Sequence, residues 1–290
     1  MRDKLNMTRK PIETPPPCRE VFAKLVSGPE SGIDLAEAAL LIAKEEYLDL
    51  EITRYLSFLD AMADECRQRL GRGPATHRVI TNLGDYLFKE QGFRGNADDY
   101  YDPRNSFLND VLDRRMGIPI TLSTVYMEVG RRLGLCLHGV GMPGHFLVKY
   151  VGPGEELVID PFNGGAILSP VDCQHILDRV SRGKLKFEPR FLSLVSARQI
   201  LTRMLTNLKL IYFNNQAYGK ALAVVDRLLI LDPRAAPEIR DRGLLCCQLN
   251  CFPEAMVSLE QYIKLAPTAE DAEVIRDHLR AIRQRMVSMN

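Results

Sequence analysis

The chain has no tryptophan, no CxxC pair and almost no net charge: 38 Lys+Arg stand against 37 Asp+Glu, a formal charge of +1. A near-neutral total carries no broad basic footprint, so no direct contact with nucleic acid is expected. No apolar run approaches the ~18 residues of a spanning helix, which excludes that route into a membrane. The charged start, Met1-Arg-Asp-Lys-Leu-Asn6, lacks the apolar segment of a secretory signal, and a cytoplasmic location is expected. Cysteine is present but unpatterned. The 7 residues are odd in number, and the cluster Cys246-Cys247 with Cys251 falls in a helical pattern without a neighbouring His. They read as small hydrophobes rather than disulfides or metal ligands. The remainder is globular in composition, 46% hydrophobic and 26% charged over 290 residues, which excludes wholesale disorder.

Residues 1–17 end in three consecutive prolines and read as an extended lead-in. Residues 18–90 are helical in pattern. Asp34 is placed to cap a helix from Leu35 to Ala43, and a second helix fits Ile52 to Leu70, stopped by Gly71-Arg-Gly-Pro74. A third fits Thr76 to Glu90 on the stripe Val79, Ile80, Leu83 and Leu87. From residue 91 turn formers take over, followed by a short helix from Phe107 to Met116. A longer helix starts at Pro119, where the missing N–H is harmless. Its stripe is Leu122, Val125, Tyr126, Val129 and Leu133, and Gly134 stops it.

Strand patterns follow at Cys136–Val140, His145–Val151 and Glu156–Asp160, divided by Gly-Pro turns, with Ala166–Leu168 after Gly164-Gly165. Residues 91–197 therefore read as an α+β core. Over 198–290 a spacing of 34 residues relates Tyr218 to Phe252, Ala221 to Ala255, Leu222 to Met256, Leu231 to Leu265 and Pro233 to Pro267. That period, with Ala inside and Pro closing the second helix, is the mark of tetratricopeptide repeats. Two repeats, about 202–235 and 236–269, are expected, with 270–287 as a polar capping helix. Gly243 is expected where repeat helices pack closely.

The densest polar constellation lies between residues 100 and 165. His145 opens a strand and Asp160 closes the next, so a hydrogen bond between them would fix the imidazole tautomer. The alternative is a partly buried structural histidine beside a strand-end turn former. Arg104, held near the turn Asp102-Pro-Arg-Asn105, suits a carboxylate or phosphate. Arg114-Arg115 reads as a solvated helix end. Gly139-Val-Gly-Met-Pro-Gly144 is glycine-rich but precedes no helix, so it reads as the turn that aims His145 rather than a phosphate loop. No signature of a cofactor or a metal appears.

Taken together, a helix, a glycine, a strand with Gly-His145-Phe-Leu-Val and a strand with Val-Ile-Asp160-Pro-Phe resemble the core of the transglutaminase-like superfamily, a cysteine-protease-type α+β fold. The resemblance implies a Cys nucleophile at the start of the core helix, with His145 as base and Asp160 orienting it. The family's Gly-x-Cys position is here Gly117-Ile-Pro119, and no Cys lies between Cys66 and Cys136. Longer motifs cover roughly residues 20–287: Asp-Pro-Arg-Asn-Ser106, Arg-Met-Gly-Ile-Pro119-Ile-Thr-Leu-Ser123, Gly-Met-Pro-Gly-His145-Phe and Leu-Thr-Arg-Met-Leu-Thr-Asn-Leu-Lys209. With the repeats, these resemble bacterial transglutaminase-like/TPR proteins of the Sir-B-one kind, conventionally called invasion-regulator homologues and related to the central region of a eukaryotic F-box protein. The resemblance implies that members of this group also lack the nucleophilic Cys.

The expected architecture is a helical N-terminal region on a transglutaminase-like core, followed by an all-α repeat array. The expected function is a degenerate, non-catalytic module that binds a protein or peptide partner, with any regulatory role running through such contacts. Arg104, Asn105 and Pro119 are the candidate binding residues. The competing expectation is a hydrolase or amidase in which the hydroxyl of Thr121 or Ser123 replaces the thiol, with His145 and Asp160 as helpers; plain helix capping by those hydroxyls is the alternative to it.

Overall fold

The computed structural model describes residues 17–70 and 75–289, so the lead-in before Pro17 and the stop signal Gly71–Pro74 lie outside the described residues. Two compact units are present, one of Pro17–Met204 and one that takes up at Leu205. Both are built as the sequence suggests: an α+β unit, then helical repeats.

The first unit begins with α1 (Pro17–Ser27), α2 (Leu35–Lys44), α3 (Ile52–Leu70) and α4 (Thr76–Gly84). Pro17 is thus helical, in the first-turn position that suits proline. Asp34 caps α2 by accepting from the Glu37 N–H at 2.9 Å. α2 is apolar nearly all round, and Leu35, Ala36 and Ala38–Ala43 are all buried. The single helix expected over Thr76–Glu90 instead widens after Gly84 into a π-helical turn, Asp85–Glu90. Widening turns Tyr86 and Leu87 inward together while Phe88 stacks on Tyr126, centroids 6.1 Å apart.

Next come β1 (Arg94–Gly95), α5 (Leu108–Arg114) and β2 (Met116–Gly117); β1 and β2 pair in parallel. α6 (Pro119–Arg132) follows, and Gly134 closes it with φ 85°. Every residue of α6 from Pro119 to Gly130 is buried, because α6 packs against α2–α5 and also against the sheet. Each large apolar side chain so buried contributes about 1.5–3 kcal/mol, which makes α6 the hub of the unit.

The sheet comprises β3 (Leu137–Val140), β4 (Leu147–Gly152), β5 (Glu155–Asp160), β6 (Ala166–Leu168) and β7 (Leu194–Val195), in the antiparallel order β6-β5-β4-β3-β7. α7 (Pro170–Ser181) lies between β6 and β7 in the chain. It packs Cys173, Ile176 and Leu177 on Val140, Met142 and Leu147. His145 does not open a strand, as the pattern suggested; it sits in the turn before β4, its N–H donating to the Met142 carbonyl at 3.1 Å.

α8 (Ala197–Asn214) carries the chain across the unit boundary. The second unit continues with α9 (Tyr218–Leu231), α10 (Ala236–Gln248), α11 (Phe252–Leu265) and α12 (Ala272–Met289). The bounds of α9 and α11 reproduce the spacing seen in the sequence. Ala221 and Ala255 are fully buried, and a Cβ on Gly243 of α10 would stand 2.5 Å from the Leu259 side chain of α11. Only glycine lets these two helices approach so closely. Lys209 reaches both Glu238 and Asp241, at 2.8 and 2.9 Å. No disulfide joins the cysteines among the described residues, and Cys246 and Cys251 are buried.

Candidate functional site

Asp160 ends β5 and begins a 3-10 turn, Pro161–Asn163. One carboxylate oxygen accepts from the N–H groups of Phe162 and Asn163 at 3.1 and 3.3 Å, and the other from the Asn163 side-chain amide at 2.6 Å. An Asp-Pro pair favours such a turn, since proline presets the helical φ and the carboxylate satisfies the freed N–H groups. His145 Nε2 meets the same carboxylate at 3.0 Å. The pair is buried, with side chains 9% and 1% exposed. Burial alone would raise the Asp160 carboxyl, but the His145 bond and charge, with the Asn163 bonds, outweigh it and hold it below its usual value. With Nε2 committed to Asp160, a neutral imidazole carries its proton there and leaves the Nδ1 lone pair open. Nδ1 has no hydrogen-bond partner among the described residues.

The turn that sets His145 requires glycine. Gly144 has φ 68°, and a Cβ there would stand 2.8 Å from Val180. The imidazole and the Phe162 ring meet in a T-shaped pair, centroids 5.9 Å apart at 83°. A Cβ on Gly95 would stand 2.5 Å from that same Phe162 ring, and Gly95 pairs in register with Gly117. Phe162 and the β1–β2 pair therefore connect His145 to the start of α6, two residues before Pro119.

At that start the polar groups serve the backbone. The Thr121 hydroxyl accepts from the Ile118 N–H at 3.1 Å and donates to the Asn105 carbonyl at 2.8 Å. Ser123 lies one turn beyond Pro119 on the same helix face, fully buried, and its hydroxyl has no hydrogen-bond partner among the described residues. Neither hydroxyl is hydrogen-bonded to His145. Pro119 occupies the first turn of α6, buried and without a donor.

The structure brings Arg104 and Asn105 together with Asp102 rather than with His145. Asn105 is fully buried; its amide donates to the Asp99 carbonyl at 2.7 Å, and its oxygen accepts from Asn96 at 3.1 Å. Arg104 is half exposed and pairs with Asp102 at 2.8 Å, as does Arg114 at 3.3 Å. Burial alone would raise the Asp102 carboxyl, but its bonds to Arg104 bring it below the usual value. Arg114 and Arg115 are not a solvated helix end: Arg114 is tied into this cluster, and the Arg115 guanidinium lies 4.7 Å from the centroids of both Phe58 and Phe93. Their apolar stems and flat cations are absorbed by packing that lies outside the local sequence.

No cysteine is hydrogen-bonded to His145 among the described residues. Cys136 instead meets His138 at 3.3 Å, and the Cys66 thiol, pushed up to about 11 by burial, is chemically quiet. Among the described residues no group of three or more His, Cys, Asp or Glu could hold a metal ion. No described helix is long and apolar enough to cross a membrane. Phe162 and Arg203 were missed by the reading of the residues, although both stand inside motifs already quoted, Ile-Asp-Pro-Phe162 and Leu-Thr-Arg203. Arg203 of α8 donates to the His145 carbonyl at 2.8 Å.

The sequence profile of the transglutaminase-like superfamily matches residues 53–206, which contain the whole His145 site. The chain belongs to the transglutaminase-like superfamily. A tetratricopeptide-repeat profile matches residues 208–280 of this transglutaminase-like chain. Its relatives include a UPF0162 protein of Xylella fastidiosa, 37% identical, with 89% of this chain and 93% of that one aligned. A UPF0162 protein of Vibrio cholerae is 30% identical over 86% and 93% of the two chains. F-box only protein 21 of Pongo abelii is 27% identical over 64% of this chain and 31% of its own length. The bacterial transglutaminase-like/TPR grouping read from the motifs is thus shown.

Proposed function

We propose that this chain is a pseudoenzyme, a non-catalytic transglutaminase-like protein that binds an extended segment of a protein partner at the His145 site. The carrying observation is that Asp160 and His145 are joined at 3.0 Å while Pro119, which the resemblance sets at the superfamily's nucleophile position, is a buried ring with no nucleophilic atom. Losing the nucleophile of a triad removes several orders of magnitude in rate, whereas an oriented imidazole with an open Nδ1 still recognises a hydrogen-bond donor. The tetratricopeptide repeats support a role in protein–protein interaction, since such arrays present extended surfaces. A regulatory effect and a cytoplasmic setting fit this reading.

The test is a broad hydrolase, amidase and crosslinking screen of the full chain, run beside an affinity capture, each with wild type and His145→Ala. Capture of protein partners without turnover is expected. Turnover that disappears in His145→Ala overturns the reading.

One observation favours a second reading, a hydrolase of altered chemistry: the unpartnered Ser123 hydroxyl on the helix face of Pro119. Thr121 is the weaker nucleophile candidate, since its hydroxyl is engaged by the backbone. Covalent labelling by a fluorophosphonate, lost in Ser123→Ala and retained in Thr121→Val, would establish this alternative.

A further inference from the structure

In the first unit, several partly or fully buried guanidinium groups outside the His145 turn are matched to carboxylates. Arg19 pairs with Glu45, Arg132 with Glu128 at 2.7 Å, Arg198 with Glu30 at 2.9 Å and Arg114 with Asp102 at 3.3 Å. Arg203 departs from this pattern. It donates to the carbonyls of His145 and Met142, at 2.8 and 3.5 Å, and its guanidinium lies 5.4 Å from the Phe146 centroid. Its remaining N–H groups meet no acceptor among the described residues. Burial lowers its pKa, and the phenol of Tyr100 is the one titratable group acting against that; no carboxylate does. Arg115 also lacks a carboxylate partner, but it is enclosed by Phe58 and Phe93 and feels Asp113 and Glu65. Arg203 therefore combines a desolvated cation, spare donors and a position one peptide unit from the imidazole.

We propose that Arg203 is the anion-recognition residue of the His145 site and takes a carboxylate of the bound peptide, either an acidic side chain or a free C-terminus. The planar fork suits two carboxylate oxygens, and partial desolvation strengthens the bond. Tyr100, 38% exposed, lies near enough to Arg203 for the two to influence each other electrostatically. This rests on the peptide-binding reading above and gives that site its ligand chemistry.

The test selects binders to the full chain from displayed random heptapeptides, presented both with free C-termini and internally. Enriched sequences are then synthesised in paired forms, free acid against amide and Glu or Asp against Gln or Asn. Fluorescence polarisation compares the pairs on wild type, Arg203→Gln and Arg203→Lys. In wild type, removing the carboxylate weakens binding about tenfold or more. In Arg203→Gln the two members of each pair bind equally, and Arg203→Lys keeps only part of the difference. The amide pairs and the side-chain pairs separate the two sources of the carboxylate. A purely structural Arg203 would weaken both members of a pair alike and leave their ratio intact, which overturns the proposal. Enriched peptides that carry no required carboxylate overturn it as well, while leaving the peptide-binding reading standing. If no peptide is enriched, both fall. Should Arg203→Gln fail to fold, the ratio in Arg203→Lys decides.

Discussion

Asp160 and Thr121 are both fully buried polar side chains, and each holds the first turn of a helical segment. They differ in what else they hold. Asp160 also takes an imidazole from another part of the chain, and that imidazole keeps one nitrogen open. The bonds of Thr121 all end on nearby backbone and on Asn105. At the first corner, the bonds that fold the turn also build the site. At the second, the bonds of Thr121 serve the fold alone.

The largest effect is expected from Asp160→Ala. It leaves the Phe162 and Asn163 donors and His145 without their acceptor in a dry place, at a cost of about 3–5 kcal/mol in chemical denaturation. A loss under about 1 kcal/mol would break the comparison, because the carboxylate would then hold nothing together. Gly95→Ala drives a methyl into the Phe162 ring and should cost about 1–3 kcal/mol. The His145 ring resonances should move with it; if they stay fixed, Phe162 does not connect the two corners. Thr121→Val removes an acceptor for Ile118 and a donor to Asn105, for about 1–2 kcal/mol, with the His145 resonances unmoved.

Acid titration gives a smaller effect. Asp160 and Asp102 are both held below the usual carboxylate value, so their contribution is complete above the unfolded carboxyl range and fades as pH falls through the folded values. Stability should therefore be flat above about pH 5 from these groups and drop below about pH 4. Asp160→Asn and Asp102→Asn should each flatten that drop. The smallest change in stability, under about 1 kcal/mol, is expected for Pro119→Cys, which loses only the proline's preset φ. Its value lies in chemistry: a thiol there should alkylate faster than the buried native thiols, and His145→Ala should slow it.

Much of this was legible in the sequence because it rests on local or periodic signals. The repeats announced themselves through small residues where helices cross, and α6 through an apolar stripe between Pro119 and Gly134. The His145–Asp160 bond was one of two readings open from Gly-His145-Phe and Ile-Asp160-Pro, although His145 precedes its strand rather than opening it. What stayed hidden depends on partners distant in the chain. The β1–β2 pair is two residues long on each strand and carries no strand pattern. The burial of Arg114 and Arg115 is set by Asp102, Phe58 and Phe93, and the grip of Arg203 on His145 spans from α8 to the β4 turn. α7 is a different case. Its Ser169-Pro-Val-Asp172 capping box was there to be read, but it follows directly on strand-like residues and was overshadowed by them.

The five-stranded sheet tapers to β6 and β7, which span only Ala166–Leu168 and Leu194–Val195. Few backbone groups are therefore left for an incoming strand to latch onto, even though Ile167 and Leu194 lie at the solvent. Such stubby margins guard a β-sheet against stacking edge-on into fibrils, so the protein should tolerate crowding without recruiting further copies through this route.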